Sequence, residues 1–394
     1  MPDGRDAITI KVVGHIAEIG ADQWDACAGT VNPFVGHAFL AALEDSGSVG
    51  RAAGWLPRHL VIENEQGSVI GAAPTYVKSH SYGEYVFDHG WADAYERAGG
   101  RYYPKLQVAV PFTPVPGPRL LVRAGPAAEG TRRTLVHGLI EVARRSDASS
   151  LHITFADEVD TRALTQAGLL LRTGLQFHWF NRGYRSFDDF LSDLASRKRK
   201  AIRKERQAVA ARGIAVRVLT GADIRPRHWD AFYRFYVSTS DRKWGHPYLN
   251  RAFFARLGET MADRVALVMA EHDGRLVAGA LNLIGADTLY GRNWGCIGDY
   301  KFLHFEACYY QAIELAITRR LKRVEAGAQG EHKIQRGYLP VPTRSAHWIR
   351  DAAFAKAVAD FLERERTALE HEIRAFAELS PFRRSGEGAR SADQ

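Results

Sequence analysis

The feature that most constrains the fold is an order of sequence signals that occurs twice, once in each half of the chain. Gly71-Ala72 is followed after nine residues by Tyr82-Gly83, and Gly279-Ala280 is followed after nine residues by Tyr290-Gly291. In each half a turn and a short apolar run come first, a pattern that predicts a β-hairpin leading into a longer antiparallel strand pair. The repeated order predicts two α/β-like halves.

Further helices and strands are placed by the spacing of apolar residues. Each half continues with a helix and then a strand, over residues 131–146 and 150–156 in the first half and over residues 304–320 and 323–328 in the second. Residues 169–181 predict a long strand that closes the first domain. This shared order of elements supports the repeat more strongly than the glycine spacing does.

A chain of 394 residues exceeds what one hydrophobic core ordinarily organises, so we expect two domains. The first is predicted over residues 8–182 and the second over residues 183–380, with a helix near residues 351–379 at the end. Residues 81–118 are interpreted as a loop-rich insertion, because the closely spaced prolines at their end exclude helix. Residues 381–394 are predicted to be disordered.

Composition limits the class of protein. The 46% hydrophobic and 25% charged residues are typical of a globular domain. No apolar run reaches the roughly 20 residues that a membrane-spanning helix needs, and the N-terminus lacks the features of a secretion signal, so we expect a cytoplasmic protein. Cys27, Cys296 and Cys308 lack paired spacing, so we predict free, mostly buried thiols and no metal site.

Much of the net charge of +8 lies in one predicted helix, which begins after the N-cap Ser186 and ends at Gly213. Between Arg197 and Arg212, Glu205 is the single acid among eight basic residues. The residues expected to bind an anionic donor are Arg197, Lys198, Arg199, Lys200 and Arg203. Two interpretations stay open, a surface that binds phosphate groups or a solvated helix face without a ligand.

Residues 303–341 carry the densest chemistry in the chain. His304 and Glu306 begin a helix that is apolar on nearly every side, and buried ionisable groups need a partner or a role. We predict Glu306 as a general base or as the anchor of an ammonium group, with a carboxylate that complements the helix dipole as the alternative. Glu331 and His332 follow the next strand, and His332 either relays a proton or bonds a backbone carbonyl. These four residues are the candidate catalytic groups.

Other polar residues are suited to binding a substrate. Arg292 with Asn293, and Lys333 with Arg336, either bind a carboxylate or phosphate or form surface ion pairs. The remaining predicted substrate-binding residues are Asp241, Arg242, Lys243, Trp244, Gln329 and Tyr338. The aromatic residues of the segment 81–118 form either a lid over the site or a satellite core. No Gly-x-Ser-x-Gly sequence supports a serine hydrolase.

Several long and unusual strings point to one family. They include KSHSYGEYVFD, VPFTPV, SRKRKAIRKER, DRKWG, LHFEACYYQ and GAQGEHKIQRGYLPV. Over residues 8–380 the chain resembles the bacterial FemAB-like family of predicted N-acyltransferases, often labelled peptidoglycan-biosynthesis-like. The resemblance implies an α/β (α+β) fold of tandem GNAT-like domains, each a mixed, bent sheet flanked by helices. It also implies transfer of an acyl or aminoacyl group to an amine.

The resemblance further implies the cosubstrates. Acyl-CoA or aminoacyl-tRNA is the expected donor, a small-molecule or peptide amine is the expected acceptor, and no tightly bound cofactor is expected. Residues 295–302 lack the glycine pattern with which simple acetyltransferases bind coenzyme A, and the chain lacks the long helical arm of Fem-type enzymes. The alternative function is a non-catalytic protein of the same fold that holds RNA or an acidic partner on its basic helix.

Overall fold

A computed structural model describes residues 8–243, 246–327 and 330–383. The strands are β1 Thr9–Val13, β2 Trp55–Pro57, β3 His59–Glu63, β4 Val69–Ala73, β5 Thr75–Lys78, β6 Lys105–Val108, β7 Leu121–Val122, β8 Ser150–Ala156, β9 Leu170–Phe180, β10 Ala215–Thr220, β11 Val265–His272, β12 Arg275–Ile284, β13 Thr288–Cys296, β14 Arg323–Glu325 and β15 Leu339–Ile349.

The helices of the described ranges lie before, between and after these strands in chain order. They are α1 Ala21–Ala28, α2 His37–Asp45, α3 His89–Arg97, α4 Ala128–Arg145, α5 Glu158–Gln166, α6 Phe187–Asp193, α7 Ser196–Ala210, α8 Pro226–Lys243, α9 Arg251–Thr260, α10 Leu303–Phe305, α11 Gln311–Thr318 and α12 Ala352–Glu378. A π-helical turn, Glu306–Tyr310, joins α10 to α11. Within the described ranges, no helix has both the length and the apolar character needed to cross a membrane.

The elements group into two compact units, and each unit uses separated stretches of the chain. Unit 1 comprises the described parts of Met1–Gly174, Tyr248–Met261 and Pro342–Glu370, and unit 2 comprises those of Leu175–Pro247, Ala262–Val341 and His371–Gln394. The predicted division at residue 182 treats each domain as one continuous stretch and stays a prediction. Chain order alone does not reveal that separated stretches pack together.

Helix α9 shows how a late stretch of the chain becomes part of unit 1. The ring of Phe253 packs edge-on against the ring of Phe39, with centroids 5.7 Å apart. The side-chain amide of Asn250 donates a hydrogen bond of 2.6 Å to the carbonyl of Ser46. Aromatic burial and a satisfied polar group therefore attach α9 to α2.

Unit 1 contains two groups of paired strands. In one, β1, β3, β4 and β7 pair antiparallel in that order. In the other, β15, β8, β6, β5 and β2 are neighbours, and β6 runs parallel to β8. Helix α4 covers a core that includes Leu60, Leu106 and Leu151. The predicted hairpin is confirmed as β3 and β4, whereas Tyr82-Gly83 lies in a loop after β5 and not in a strand.

The segment 81–118, predicted to be a loop-rich insertion, contains regular secondary structure. Helix α3 and strand β6 lie within this segment, and β6 pairs with both β5 and β8. The segment is therefore a part of the sheet of unit 1. Trp91 and Tyr102 are buried with Val358 and Leu362, which confirms the satellite core for these two aromatic residues, while Tyr82 is exposed.

Unit 2 has strand order β10, β11, β12, β13, β14 and β9. Strands β13 and β14 run parallel, and the other neighbours run antiparallel. The predicted hairpin is confirmed as β11 and β12, and the predicted helix over residues 304–320 is confirmed as α10, the π turn and α11. Trp179, Leu289, Ile313 and Val324 are among the residues of its core. The predicted mixed α/β class is confirmed.

The single basic helix predicted between Ser186 and Gly213 is two helices, α6 and α7. The Ser186 hydroxyl accepts a hydrogen bond from the Asp189 N–H at 3.1 Å, which confirms the N-cap. Leu194 is extended and forms a β-bridge with Phe382, and the Ala195 N–H donates to the carbonyl of Pro381 at 2.9 Å. This pairing with the end of the described chain interrupts the helix.

Candidate active site

Strands β13 and β14 separate after a short parallel ladder. Their pairs are Thr288 with Arg323, Leu289 with Val324 and Tyr290 with Glu325. Strand β14 ends at Glu325, whereas β13 continues to Cys296. Beyond Tyr290 the main chain of β13 therefore has no partner in β14, and we call this gap the split. A bulge lies beside it, because Leu281 of β12 stands opposite both Arg292 and Asn293.

A pocket with a volume of about 80 Å³ opens beside the split. Strand β13 contributes the stretch from Gly291 to Trp294, and the helical side contributes His304, Cys308 and Tyr309. Ala326, which directly follows β14, completes this part of the lining. A space of this size holds a few water molecules or a small acyl group. The structure thus brings three predicted site residues together, His304, Arg292 and Asn293.

His332 is linked to the pocket through Tyr309. The Nε2 atom of His332 lies 2.8 Å from the Tyr309 hydroxyl, and its ring centroid lies 6.1 Å from that of His304. Burial raises the pKa of Tyr309 well above its usual range, so its hydroxyl keeps a proton that it can donate. The hydrogen bond orients the His332 ring toward the Tyr309 hydroxyl.

Glu306, the predicted base, is buried at 5% exposure but has partners. Arg206 of α7 donates to both carboxylate oxygens at 3.1 and 2.9 Å, and the side-chain amide of Gln311 donates at 2.8 Å. Glu306 is absent from the described lining of the pocket. Its carboxylate therefore fastens α7 to the π turn and does not face the split.

The turn Glu331–Arg336 places its charged groups in different environments. Glu331 is exposed. Lys333 is buried, donates to the Gly327 carbonyl at 3.0 Å, and has a pKa that burial lowers to about 8. Arg336 donates to Glu205 at 2.8 Å and lies over the ring of Phe305 at 3.4 Å. Lys333 and Arg336 thus hold the turn in place. Both side chains are buried, so their contacts are not surface ion pairs.

The remaining predicted substrate-binding residues either do not line the pocket or lie outside the described residues. Tyr338 is buried in the core of unit 2. Asp241, Arg242 and Lys243 end α8, but their side chains are not described. Trp244 and Gln329 lie outside the described residues.

The basic residues of helix α7 form two groups, those with a side-chain partner and those without an ion pair to a described carboxylate. Lys198 contacts the side chain of Gln335, and Arg203 forms an ion pair of 3.0 Å with Asp188. Arg197, Arg199 and Lys200 form no ion pair with a carboxylate of the described ranges. Of the five predicted donor-binding residues, these three leave their charge available to a ligand.

Comparison with known proteins decides the family. The FemAB-like family, described as peptidoglycan biosynthesis/recognition, matches residues 15–384. The chain belongs to the FemAB-like family. The fold of this FemAB-like protein is similar to that of FemX, with a TM-score of 0.54, 10% sequence identity, and coverage of 89% of this chain and 100% of that chain. Curated protein sequences give no match to the chain.

Two other solved structures share the fold. The C-terminal domain of a protein assigned as a lysylphosphatidylglycerol synthetase from Agrobacterium fabrum has a TM-score of 0.53 at 9% identity, covering 89% of this chain and 96% of that chain. L-PGS from Bacillus licheniformis has a TM-score of 0.51 at 8% identity, covering 84% and 98%. At these identities the likeness shows the fold alone.

Sequence reasoning missed one residue at the split of this FemAB-like protein, Glu325. It is 3% exposed, and neither carboxylate oxygen accepts a hydrogen bond from a described residue. The Arg323 Nε atom lies 3.2 Å from Oε1 and the His178 Nδ1 atom lies 3.9 Å from it, without hydrogen-bond geometry. Burial raises the pKa of Glu325 to about 7. The only signal in the sequence is a carboxylate at the end of a short apolar strand.

The cysteines complete the description of the pocket. Cys27 and Cys296 are buried and Cys308 is half-buried, and all three are free thiols, as predicted. Cys308 lines the pocket beside His304, a placement that the sequence did not predict.

Proposed function

We propose that this FemAB-like protein transfers an aminoacyl or other acyl group from an activated donor to an amine, and that the reaction takes place at the split of unit 2. The observation that carries the proposal is the pocket of about 80 Å³, where His304, Arg292 and Asn293 meet beside main-chain groups of β13 that β14 leaves unpaired. A concave site with a few convergent polar groups is typical of an active site.

The split supplies what acyl transfer needs. The carbonyl oxygen of the donor becomes negative during attack, and N–H groups of β13 that face the gap would stabilise it. The nitrogen of the amine forms a bond to the carbonyl carbon, and the C–O or C–S bond of the donor breaks. The leaving oxygen or sulfur needs a proton, and His332, oriented by Tyr309 at 2.8 Å, is suited to relaying one.

An aminoacyl donor is favoured over a simple acetyl donor. The family is described by peptidoglycan biosynthesis, and a structure of the same fold is assigned as a lysylphosphatidylglycerol synthetase. In addition, Arg197, Arg199 and Lys200 of α7 are suited to binding the phosphate groups of a nucleic acid carrier. The proposed acceptor is a primary amine of a small molecule or peptide.

The test is an acyl-transfer assay with purified full-length protein, a primary amine, and either charged tRNA or acyl-CoA. The wild type is expected to form an amide, and His304→Ala and Arg292→Met are expected to lower kcat/KM by about 10² or more. Arg217→Met, an exposed arginine on β10, is the matched control and keeps the wild-type rate. Amide formation that is unchanged in both pocket variants would overturn the assignment of the site.

A second candidate function is binding without catalysis, which the available cations of α7 favour. The triple variant Arg197→Gln, Arg199→Gln and Lys200→Gln separates the two functions. The transferase predicts a raised KM for tRNA with little change in kcat, because the phosphate contacts position the donor. Salt-dependent RNA binding with no turnover of any donor would instead support the binding protein.

A further inference from the structure

Glu325 differs from the buried carboxylate Glu306 of unit 2 in accepting no hydrogen bond from the residues that the structure describes. Glu306, at similar burial, accepts hydrogen bonds from Arg206 and Gln311. A buried carboxylate without a donor is unfavourable, and such groups occur where a ligand supplies the missing contacts. Arg323 lies 3.2 Å from Oε1, yet neither Glu325 oxygen accepts a hydrogen bond from a residue of the described ranges, and this is the feature that needs an explanation.

Groups from three elements face Glu325. Strand β14 contributes Arg323, whose charge lowers the pKa of Glu325, and strand β9 contributes His178. Arg292 of β13 lowers the pKa of Glu325, and Asp287, in the turn before β13, raises it. Tyr290 of β13 is paired with Glu325 in the parallel ladder. Burial lowers the pKa of His178 to about 3, so its ring is neutral and adds no charge.

The position of Glu325 suits a second substrate. Val324 packs in the core with Tyr309 and Ile313, so the next residue along β14 faces the opposite side of the sheet. Tyr309 also lines the pocket, and Ala326 links that pocket to the end of β14. Glu325 therefore lies at the edge of the split, on the face opposite the pocket.

We propose that Glu325 is the receptor of the amine acceptor, and that its carboxylate binds the incoming ammonium group and removes a proton from it. This inference rests on the proposed function and assigns its acceptor site to the face of the sheet opposite the donor pocket. Two substrates that approach the split from opposite faces do not compete for one entrance. A pKa near neutrality fits a group that must alternate between holding and releasing a proton.

The proton and electron balance of the step is closed. The ammonium nitrogen gives one proton to a Glu325 oxygen and becomes a neutral amine with a lone pair. That lone pair forms the bond to the acyl carbon, and the bond to the leaving oxygen or sulfur breaks with its electron pair. The new bond makes the nitrogen positive again, so it loses a second proton, and that proton neutralises the leaving oxygen or sulfur. Glu325 returns its own proton to solvent before the next turnover.

The binding test uses n-butylammonium as the probe and n-butanol as the uncharged control, with the full chain at pH 8. The amine is expected to raise the melting temperature of the wild type and not of Glu325→Gln, while n-butanol affects neither. Equal shifts in the wild type and in Glu325→Gln would overturn the assignment. This measurement does not depend on knowing the donor.

The kinetic test compares Glu325→Gln, Glu325→Asp and the control Glu271→Gln, a half-buried glutamate on β11. We expect Glu325→Gln to lower kcat/KM for the amine by about 10² or more and to abolish its acid limb, because the amide cannot accept the proton. Glu325→Asp keeps a carboxylate and is expected to recover part of the rate, which separates chemistry from misfolding.

The outcomes distinguish this inference from the function on which it rests. A wild type that transfers acyl groups while Glu325→Gln shows the same rate and pH profile contradicts the role of Glu325 alone. A wild type that forms no amide from any donor, but binds n-butylammonium only when Glu325 is present, contradicts the proposed function and supports the cation site. A Glu325→Gln variant that is folded at the assay temperature and has lost turnover supports both.

Discussion

The two units differ in the partners of a buried ionisable residue on a strand that has a parallel neighbour. In unit 1, Lys105 lies on β6, which runs parallel to β8, and its ammonium group is 2.7 Å from Glu84 and 2.5 Å from Asp88. In unit 2, Glu325 lies on β14, which runs parallel to β13, and no residue of the described ranges donates a hydrogen bond to it. Glu84 and Asp88 each keep one oxygen without a hydrogen bond but have an ammonium partner on the other, whereas both oxygens of Glu325 lack a hydrogen bond from the described residues.

The electrostatics of unit 1 follow from this pairing. Burial alone would lower the pKa of Lys105, but Glu84 and Asp88 raise it above its ordinary value, so the lysine stays charged. Burial would raise the pKa of Asp88, but Lys105 holds it well below its usual range. Burial lowers the pKa of His152 to about 3, so this neighbour is neutral. The network compensates its own charges and holds residues 84–88 against the sheet.

The largest expected effect comes from breaking the network of unit 1. Lys105→Met leaves Asp88 without its ammonium partner and leaves Glu84 with Lys78 alone, 3.7 Å away, and we expect a loss of about 3 to 5 kcal/mol in the free energy of unfolding. Denaturant unfolding measures this loss. Lys11→Met, which removes a half-exposed lysine paired with Glu63, is the control and costs below about 1 kcal/mol. Equal losses in the two variants would remove the contrast between the units.

A second prediction concerns stability and pH in unit 2. Folding raises the pKa of Glu325 from 4.5 to about 7, so its contribution to stability is lost as the pH rises through this interval. Between pH 5 and pH 8 the wild type should lose roughly 2 to 3 kcal/mol relative to Glu325→Gln. Urea unfolding at both pH values tests this. Parallel pH dependence of the two proteins would show that Glu325 has an ordinary environment.

The smallest predicted effect concerns Arg323. Burial raises the pKa of Glu325, and Arg323 is the largest influence that lowers it, so Arg323→Met should raise it further. We expect the acid limb of kcat/KM against pH to move upward by less than about one unit, because the arginine side chain is 40% exposed and solvent screens its charge. A shift of that limb toward lower pH would contradict the assigned electrostatics.

Local signals in the sequence predicted local structure well. The hairpins β3–β4 and β11–β12 follow from turn residues between apolar runs, and the cap at Ser186 follows from its side-chain chemistry. Strand β6 was missed, because it is short and carries Lys105 and Gln107 among its four residues. Its strand character comes from pairing with β5 and β8, which local propensity does not report.

The candidate site shows the same limit. His304, Arg292 and Asn293 were predicted from residue type and placed together by the structure. The partner of Glu306, Arg206, could not be predicted from local sequence, because it is 100 positions away in the chain. The sequence does not point to Glu325, because its burial without a hydrogen bond from the described residues follows only from the packing of the sheet.

The most direct test of the account is an infrared or NMR titration of the Glu325 carboxyl group, identified by its loss in Glu325→Gln. The account predicts a protonation midpoint near pH 7 that moves to lower pH when n-butylammonium is added, because a bound cation favours the carboxylate. A midpoint near 4.5 that does not change when the amine is added would contradict the proposal that the Glu325 carboxylate binds the ammonium group of the acceptor.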